Sequence, residues 1–157
     1  MVLQTDFDKQ MMERALALAS EAAAIGEVPV GAVIVRNGEI LSEAFNRRES
    51  DKNALAHAET LAIGEACKKL GGWRLSDCDL YVTLEPCPMC AGAIVNARIR
   101  RVIVAAKDVK AGALGSLLNL NFYPLNHHPE VIFGVCEEKA ARLLGDFFGA
   151  LRKRPKN

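Results

Sequence analysis

Residues 80–93 read LYVTLEPCPMCAGA, an apolar run followed without any linker by a helix-forming one. The apolar run 80–84 is short and β-prone, which predicts a buried strand. Pro88 suits the first position of a helix, where its missing N–H is harmless, and the small residues after it predict helix over 91–97. A strand that leads directly into a helix is typical of an α/β domain.

The rest of the chain repeats these two kinds of element. Apolar residues at three- and four-residue steps predict amphipathic helices, the first capped by Asp6, and Asn37-Gly38 predicts a hairpin between two early strands. The predicted helices are 7–24, 57–70, 91–97 and 137–152, and the predicted strands are 30–35, 39–45, 80–84, 102–106 and 131–133. Together they predict a three-layer α/β/α sandwich around a central mixed sheet of about five strands.

The composition favours one globular domain over residues 1–157. Half of the 157 residues are hydrophobic, and the length is close to the commonest domain size. No apolar run approaches the ~20 residues needed to cross a bilayer, and residues 1–10 lack the segments of a secretory signal. Five cysteines without an export signal indicate reduced thiols in the cytoplasm, so their spacing favours metal binding over disulfides.

Basic residues are unevenly distributed, although the formal net charge is only +1. One group lies near the middle of the chain and another at its end: Arg98, Arg100, Arg101, Lys107 and Lys110, then Arg152, Lys153, Arg154 and Lys156. Solvated faces and a frayed tail would explain such groups. Contact with nucleic acid is the alternative interpretation.

Two short motifs together predict a zinc site, HAE at 57–59 and PCPMC at 86–90. Each alone is weak, but the pair is the signature of zinc-dependent nucleobase deaminases. The two cysteines are three residues apart at a predicted helix start, so both sulfurs can bind one ion at ~2.3 Å. The histidine lies in a first helical turn, where side chains lean toward the N-terminal end. His57, Cys87 and Cys90 are therefore the predicted ligands of one zinc ion.

Three protein ligands leave the fourth tetrahedral position to water, which is typical of a catalytic rather than a structural zinc. A closed site would need a fourth ligand from Cys67, Cys78 or Cys136, none of which stands at ligand spacing from another Cys or His. Two thiolates cancel the charge of the ion, so a base is needed beside it. Glu59 is predicted to take a proton from the water and to pass protons to a ring nitrogen and the departing ammonia.

Longer stretches resemble bacterial tRNA-specific adenosine deaminases, which convert the wobble adenosine of a tRNA anticodon to inosine. The resemblance covers nearly the whole chain. The matching stretches are GEVPVGAV at 26–33, AHAE at 56–59, LYVTLEPC at 80–87 and MCAGA at 89–93, with similar loops at 108–112, 115–117 and 126–127. It implies a cytidine deaminase-like fold, one zinc ion per subunit, a homodimer, and a tRNA anticodon stem-loop as the substrate.

The resemblance also implies roles in substrate binding. A flipped adenine would occupy the zinc pocket with Asn46 contacting the base, and the anticodon loop would lie along a basic groove. The residues assigned to substrate binding on this basis are Asn46, Val28, Leu84, Asp108, Lys110, Asn126, His127, Phe148 and Arg152. Simpler alternatives stay open, because Asn46 could merely end a strand, His127 could be an ordinary loop residue and Phe148 could belong to the core.

Three positions depart from the pattern of these deaminases. AAKD at 105–108 stands where Gly-Ala-Arg-Asp is usual, NHH at 126–128 stands where Asn-His-Arg is usual, and Ala54-Leu55 replaces Pro-Thr. The missing arginines remove planar donors from loops predicted to face RNA, which affects substrate detail more than reaction type. Two rivals remain: a deaminase of free cytosine, cytidine or guanine, and a non-catalytic zinc-stabilised RNA-binding module.

Overall fold

The computed structural model describes residues 5–155, so Lys156 of the predicted basic tail lies outside the described residues. The helices are α1 (Asp6–Ala24), α2 (Ala58–Leu70), α3 (Pro88–Ala97) and α4 (Glu137–Arg152), and the strands are β1 (Gly31–Arg36), β2 (Glu39–Phe45), β3 (Cys78–Leu84), β4 (Arg101–Ala106) and β5 (Glu130–Phe133). A 3-10 turn, Leu120–Phe122, interrupts the long connection before β5. All the predicted elements are present.

The five strands form one mixed sheet in the order β2-β1-β3-β4-β5. β1 is antiparallel to both β2 and β3, whereas β3, β4 and β5 are parallel to one another. The carboxyl ends of β3 and β4 therefore share one edge of the sheet with the start of β1 and the end of β2. The predicted zinc ligands at the starts of α2 and α3 lie at this end of the sheet, so we call it the catalytic end and the other the opposite end.

Helices cover both faces of the sheet. α2 and α3 pack on one face, around a core that includes Leu80 and Ile94, and α1 and α4 pack on the other, around Met12 and Tyr81. α1 lies so close to β1 that a Cβ on Gly31 would fall 2.0 Å from a carbonyl oxygen of that helix. This arrangement confirms the predicted three-layer sandwich. Within residues 5–155, none of the helices is long and apolar enough to span a bilayer.

The first helix begins one residue earlier than predicted, and its cap differs. Thr5 is the N-cap: its side chain accepts a hydrogen bond from the N–H of Asp8, and its own N–H donates to the Asp8 carboxylate. This reciprocal capping box satisfies two backbone donors that a cap at Asp6 would leave free. Asp6 is therefore the first helical residue, and the prediction that it caps the helix is wrong.

The last helix has the predicted bounds but buries little of its apolar side. Ala140 is fully buried, whereas Phe148 and Leu151 remain exposed. The interpretation of Phe148 as a core residue is therefore wrong. The buried residue of α4, Ala140, lies in its first turn, whereas the exposed Phe148 and Leu151 belong to its C-terminal half.

Candidate metal centre and substrate pocket

Two helix N-termini meet at the catalytic end of the sheet. His57 is the N-cap of α2, and Cys87 is the N-cap of α3, with Cys90 in the first turn of that helix. Pro88 occupies the first turn of α3, as the sequence predicts. The partial positive charge of a helix N-terminus favours anionic groups, so both helices stabilise thiolates here.

The three predicted ligands lie together with their donor atoms correctly spaced. The Nδ1 atom of His57 lies 3.4 Å from the sulfur of Cys90 and 3.6 Å from that of Cys87, and all three donor atoms lie within 4.8 Å of one another. Tetrahedral bonds of the lengths usual for zinc would separate nitrogen and sulfur by roughly 3.6 Å. The residues present therefore fit a zinc ion.

The cluster contains three ligands rather than four. Over residues 5–155, this trio is the one group of three or more possible ligands that converges on a point. Cys67 lies beside the carbonyl of Trp73, Cys78 beside Asp77, and Cys136 beside Glu13. A structural site closed by a fourth cysteine is thereby excluded for the described residues.

The two clustered cysteines differ in the ionisation of their thiols. A hydrogen bond from the Cys90 thiol lowers the pKa of Cys87 to about 5. That same hydrogen bond, together with burial, raises the pKa of Cys90. The pair therefore provides one thiolate near neutral pH without any metal, and a thiolate is the form that binds zinc.

Glu59 lies in the first turn of α2, beside the metal ligands, and it is 4% exposed. Burial raises the pKa of Glu59 above its ordinary value and outweighs the opposing effects of a backbone N–H and of the nearby His57. A carboxyl group with a raised pKa can both accept and donate a proton near neutral pH. The environment of Glu59 therefore suits the role that the sequence predicts.

A cavity of about 160 Å³ opens beside these groups. It is lined by Val28, Val30, Asn46, Arg48, His57, Ala58, Glu59, Leu84, Glu85, Cys87, Asp108 and Ala111. Pockets that enclose whole drug-sized ligands usually measure about 300–1,000 Å³, so this cavity suits a single ring system. Five of these twelve residues are apolar, and the other seven bring polar or ionisable groups to the wall.

Four of the residues predicted to bind substrate line this cavity: Val28, Asn46, Leu84 and Asp108. Asn46 is held by two hydrogen bonds, since its amide donates to the carbonyl of Val28 and accepts from the N–H of Arg48. The Asp108 carboxylate accepts from the N–H groups of two residues that follow it, Lys110 and Ala111, and so orders its own turn.

The other residues predicted to bind substrate lie outside the cavity. His127 contacts the carbonyl of Ile99, next to the start of β4 and thus near the opposite end of the sheet. Lys110 and Asn126 are exposed on loops, and Phe148 and Arg152 are exposed on α4. Their contacts with RNA remain predictions.

Two buried glutamates have no assigned role from the sequence. Glu27 accepts hydrogen bonds from the N–H groups of Glu49 and Ser50 and thereby holds the loop after Asn46. Glu85 lines the cavity and holds the loop that carries Asp108. Each lies beside a recognisable stretch, but nothing in the sequence says which distant backbone groups it binds.

The sequence matches one family model and several known proteins. The cytidine and deoxycytidylate deaminase zinc-binding region matches residues 5–106. A tRNA-specific adenosine deaminase of Bacillus subtilis is 51% identical over 150 residues, 95% of this chain and 93% of that protein. One of Haemophilus influenzae is 42% identical over 156 residues, 98% of this chain and 90% of that protein.

A solved structure is also similar over most of the chain. It comes from a study of A-to-I editing by tRNA:A34 deaminases at the wobble position of transfer RNA. The two structures superpose with a TM-score of 0.84 at 44% sequence identity, covering 86% of this chain and 99% of the other. The likeness therefore extends beyond the metal-binding motifs to the whole sandwich.

Proposed function

The chain belongs to the tRNA-specific adenosine deaminases, which carry the cytidine and deoxycytidylate deaminase zinc-binding region, and we propose that it converts adenosine 34 of a tRNA anticodon to inosine. The observation that carries the proposal is the cluster of His57, Cys87 and Cys90 beside a buried Glu59, at the wall of a cavity sized for one base. Water and adenosine are consumed, and inosine and ammonia are released.

The chemistry divides between the metal and the residues around it. His57, Cys87 and Cys90 hold the zinc, one ion per subunit, and zinc when bound supplies a polarised water as the nucleophile. Glu59 accepts a proton from the attacking water and delivers it to a ring nitrogen as the C–O bond forms at C6. It then accepts the remaining proton of the former water and delivers it to the amino group, and the C–N bond breaks as that group leaves as ammonia.

The small cavity can hold a base that is turned out of a polymer. A pocket of about 160 Å³ encloses a purine ring but leaves its ribose and phosphates outside. Bases in single-stranded loops can be splayed out for a few kcal/mol of unstacking. Asn46 is positioned at the wall to bind the base, and Arg48 at the rim can meet a phosphate.

The remaining features of the proposal concern the whole protein. Residues 1–157 act as one domain, two copies form a homodimer, and the enzyme works in the cytoplasm, where tRNA is available. The anticodon stem-loop lies along residues outside the cavity that are basic, polar or aromatic, namely Lys110, Asn126, His127, Phe148 and Arg152. The sequence identity to tRNA-specific adenosine deaminases supports this substrate assignment.

The decisive experiment is incubation of the purified protein with total tRNA, followed by sequencing. Inosine is copied as guanosine, so the expected result is an adenosine-to-guanosine change at position 34 of at least one tRNA. The Glu59→Gln variant serves as the matched control and should leave the adenosine unchanged. If the wild-type protein edits no tRNA, the proposed substrate is wrong.

A second measurement separates the rival enzymes. A deaminase of free cytosine, cytidine or guanine would release ammonia from those compounds, and its substrate binding would hardly change with salt. Binding of an anticodon stem-loop should instead weaken steeply as salt is added, because phosphate contacts release counterions. A zinc-stabilised module without activity would release no ammonia from any of these substrates.

A further inference from the structure

The loop 107–119 forms one side of the cavity, and a buried carboxylate holds it there. Asp108 and Ala111 contribute to the cavity wall, and apart from one isolated bridge between Leu114 and Asn119 this loop forms no helix or strand. Hydrogen bonds within the loop order its turns, and its placement against the cavity is set by contacts with the rest of the protein. Glu85, at the end of β3, provides most of the polar ones.

Glu85 accepts hydrogen bonds from three separate points of this loop. One carboxylate oxygen accepts from the N–H of Asp108 at 3.2 Å and from the hydroxyl of Ser116. The other accepts from the N–H of Leu114 at 3.2 Å and from the N–H of Ser116 at 3.1 Å. The side chain is 2% exposed, and no lysine or arginine of residues 5–155 forms an ion pair with it. Its charge is therefore balanced by loop N–H and O–H donors alone.

The loop in turn is shaped to fit this carboxylate. A Cβ on Gly112 would lie 2.3 Å from the carboxyl carbon of Glu85 and 2.5 Å from the carbonyl oxygen of Asp108. Real side chains do not approach so closely, so only glycine allows the loop to wrap around the carboxylate. The contact is thus specified from both sides, by Glu85 directly after β3 and by Gly112 on the loop.

We propose that Glu85 is a positioning residue for substrate: it holds loop 107–119 so that Asp108 and Ala111 form the wall against which the base lies. The inference rests on the proposed function, because it assigns the loop to substrate binding in that same cavity. Glu85 acts through the loop rather than on the reacting atoms, which His57, Cys87, Cys90 and Glu59 approach from helix starts. Substrate affinity, more than the chemical step, depends on it.

The test compares Glu85→Gln with the wild-type protein, both fully loaded with zinc. Glutamine keeps the size of the side chain, but its amide nitrogen can only donate. If that nitrogen turns toward Ser116, whose hydroxyl can rotate to accept, the N–H of Asp108 faces another donor and loses its partner. We expect KM for an anticodon stem-loop to rise about tenfold while kcat changes less than about threefold. Backbone amides 108, 114 and 116 should exchange hydrogen at least about tenfold faster.

Gly112→Ala provides an independent variant, because it disrupts the same contact from the loop side. It should reproduce the rise in KM and the faster exchange, and it keeps the proposal testable if Glu85→Gln fails to fold. The double variant should be no worse than the more affected single variant, since both remove one contact. Asp8→Asn is the matched control, a buried carboxylate at the opposite end of the sheet, and it should leave KM and loop exchange unchanged.

Three outcomes would overturn the positioning role. The first is a loss of kcat in Glu85→Gln with KM and loop exchange unchanged, the second is strict additivity of the two substitutions, and the third is unchanged loop exchange in both single variants. The exchange measurement needs no substrate. A wild-type protein that fails to edit tRNA would therefore refute the proposed function, whereas unchanged loop exchange in both single variants would refute the positioning role of Glu85.

Discussion

The two ends of the central sheet both bury carboxylates, but they neutralise them in different ways. At the catalytic end, Glu27, Glu59 and Glu85 are each at most 4% exposed. Within residues 5–155, none of the three forms an ion pair with lysine or arginine. Glu27 and Glu85 are satisfied by loop N–H groups, and Glu59 lies against the metal ligands.

At the opposite end, the buried carboxylates are paired with arginines. Arg101 contacts both Asp8 and Asp79 at 3.0–3.2 Å, and Arg100 binds Asp79 through two nitrogens at 2.9 Å each. The Tyr81 hydroxyl donates to Asp8 at 2.7 Å. These ion pairs join α1, β3 and β4 into one network.

The difference in how the buried carboxylates are neutralised follows from the role of each end of the sheet. An arginine beside a carboxylate lowers its pKa and makes it a poorer base. At the opposite end, this lower basicity has no consequence for catalysis, because the carboxylates there only join helix and strands. At the catalytic end, an arginine paired with Glu59 would weaken it as a base, and within residues 5–155 no lysine or arginine forms an ion pair with it. Backbone N–H groups satisfy the neighbouring glutamates without adding a full charge.

If the buried carboxylate of Glu59 transfers the protons of the reaction, Glu59→Gln should have a larger effect on kcat than any substitution at the opposite end. The variant keeps the size of the side chain but cannot transfer protons, and general acid–base catalysis typically contributes about 10²–10⁴-fold. We expect kcat on an anticodon stem-loop to fall by this factor, as measured in single-turnover assays.

Zinc content separates this effect from damage to the metal centre. Glu59 is not among the clustered ligands, so the variant should bind as much zinc as the wild-type protein. A variant that retains most of its activity would contradict the assigned role, and a variant that loses zinc would show that Glu59 instead maintains the site.

The fold could be predicted from the sequence because each element has a local signal. Asn37 and Gly38 both adopt the positive φ that the hairpin requires, and the bounds of β2 and α4 agree with the prediction. The start of β3 could not be predicted, because Cys78 and Asp79 interrupt the apolar pattern. Both join the strand through pairing with β1, and Asp79 also forms ion pairs with Arg100 and Arg101, 21 and 22 positions away.

The site could be predicted only where its residues are close in sequence or match a motif. His57, Cys87 and Cys90 stand at fixed spacing at two helix starts, and the structure brings them together. Glu27 and Glu85 have no such signal, because their partners are backbone N–H groups 22–31 residues away. Any residue type presents such a group, so the sequence cannot identify it.

If the opposite end serves stability alone, Asp8→Asn should destabilise the protein without affecting catalysis. The variant weakens the contact with Arg101 and one half of the capping box, so we expect a loss of about 1–2 kcal/mol in the free energy of unfolding at pH 7. Urea denaturation measures this loss, and kcat and zinc content should match those of the wild-type protein. A fall in kcat would show that the two ends are coupled.

The pH dependence of this loss has a definite sign. Although burial opposes it, hydrogen bonds from Tyr81 and Thr5 and the charge of Arg101 hold the pKa of Asp8 below its ordinary value. Asp8 therefore stabilises the folded state fully above its unfolded pKa of about 3.9, and this contribution disappears as pH falls through the folded pKa. The difference in stability between the wild-type protein and Asp8→Asn should accordingly be constant above about pH 5 and shrink below pH 4.

The smallest effect is expected for Arg100→Ala, although Arg100 binds both carboxylate oxygens of Asp79 through two nitrogens. Its side chain is 59% exposed, and ion pairs of exposed residues typically contribute less than about 1 kcal/mol. Asp79 would also keep its contacts with Arg101, so no buried carboxylate loses its last cation. We expect a decrease of less than about 1 kcal/mol in the free energy of unfolding, measured in urea, and a smaller one for Arg100→Lys. A loss of about 3 kcal/mol or more, which is typical of a broken buried pair, would mean that Arg101 alone cannot neutralise Asp8 and Asp79 together.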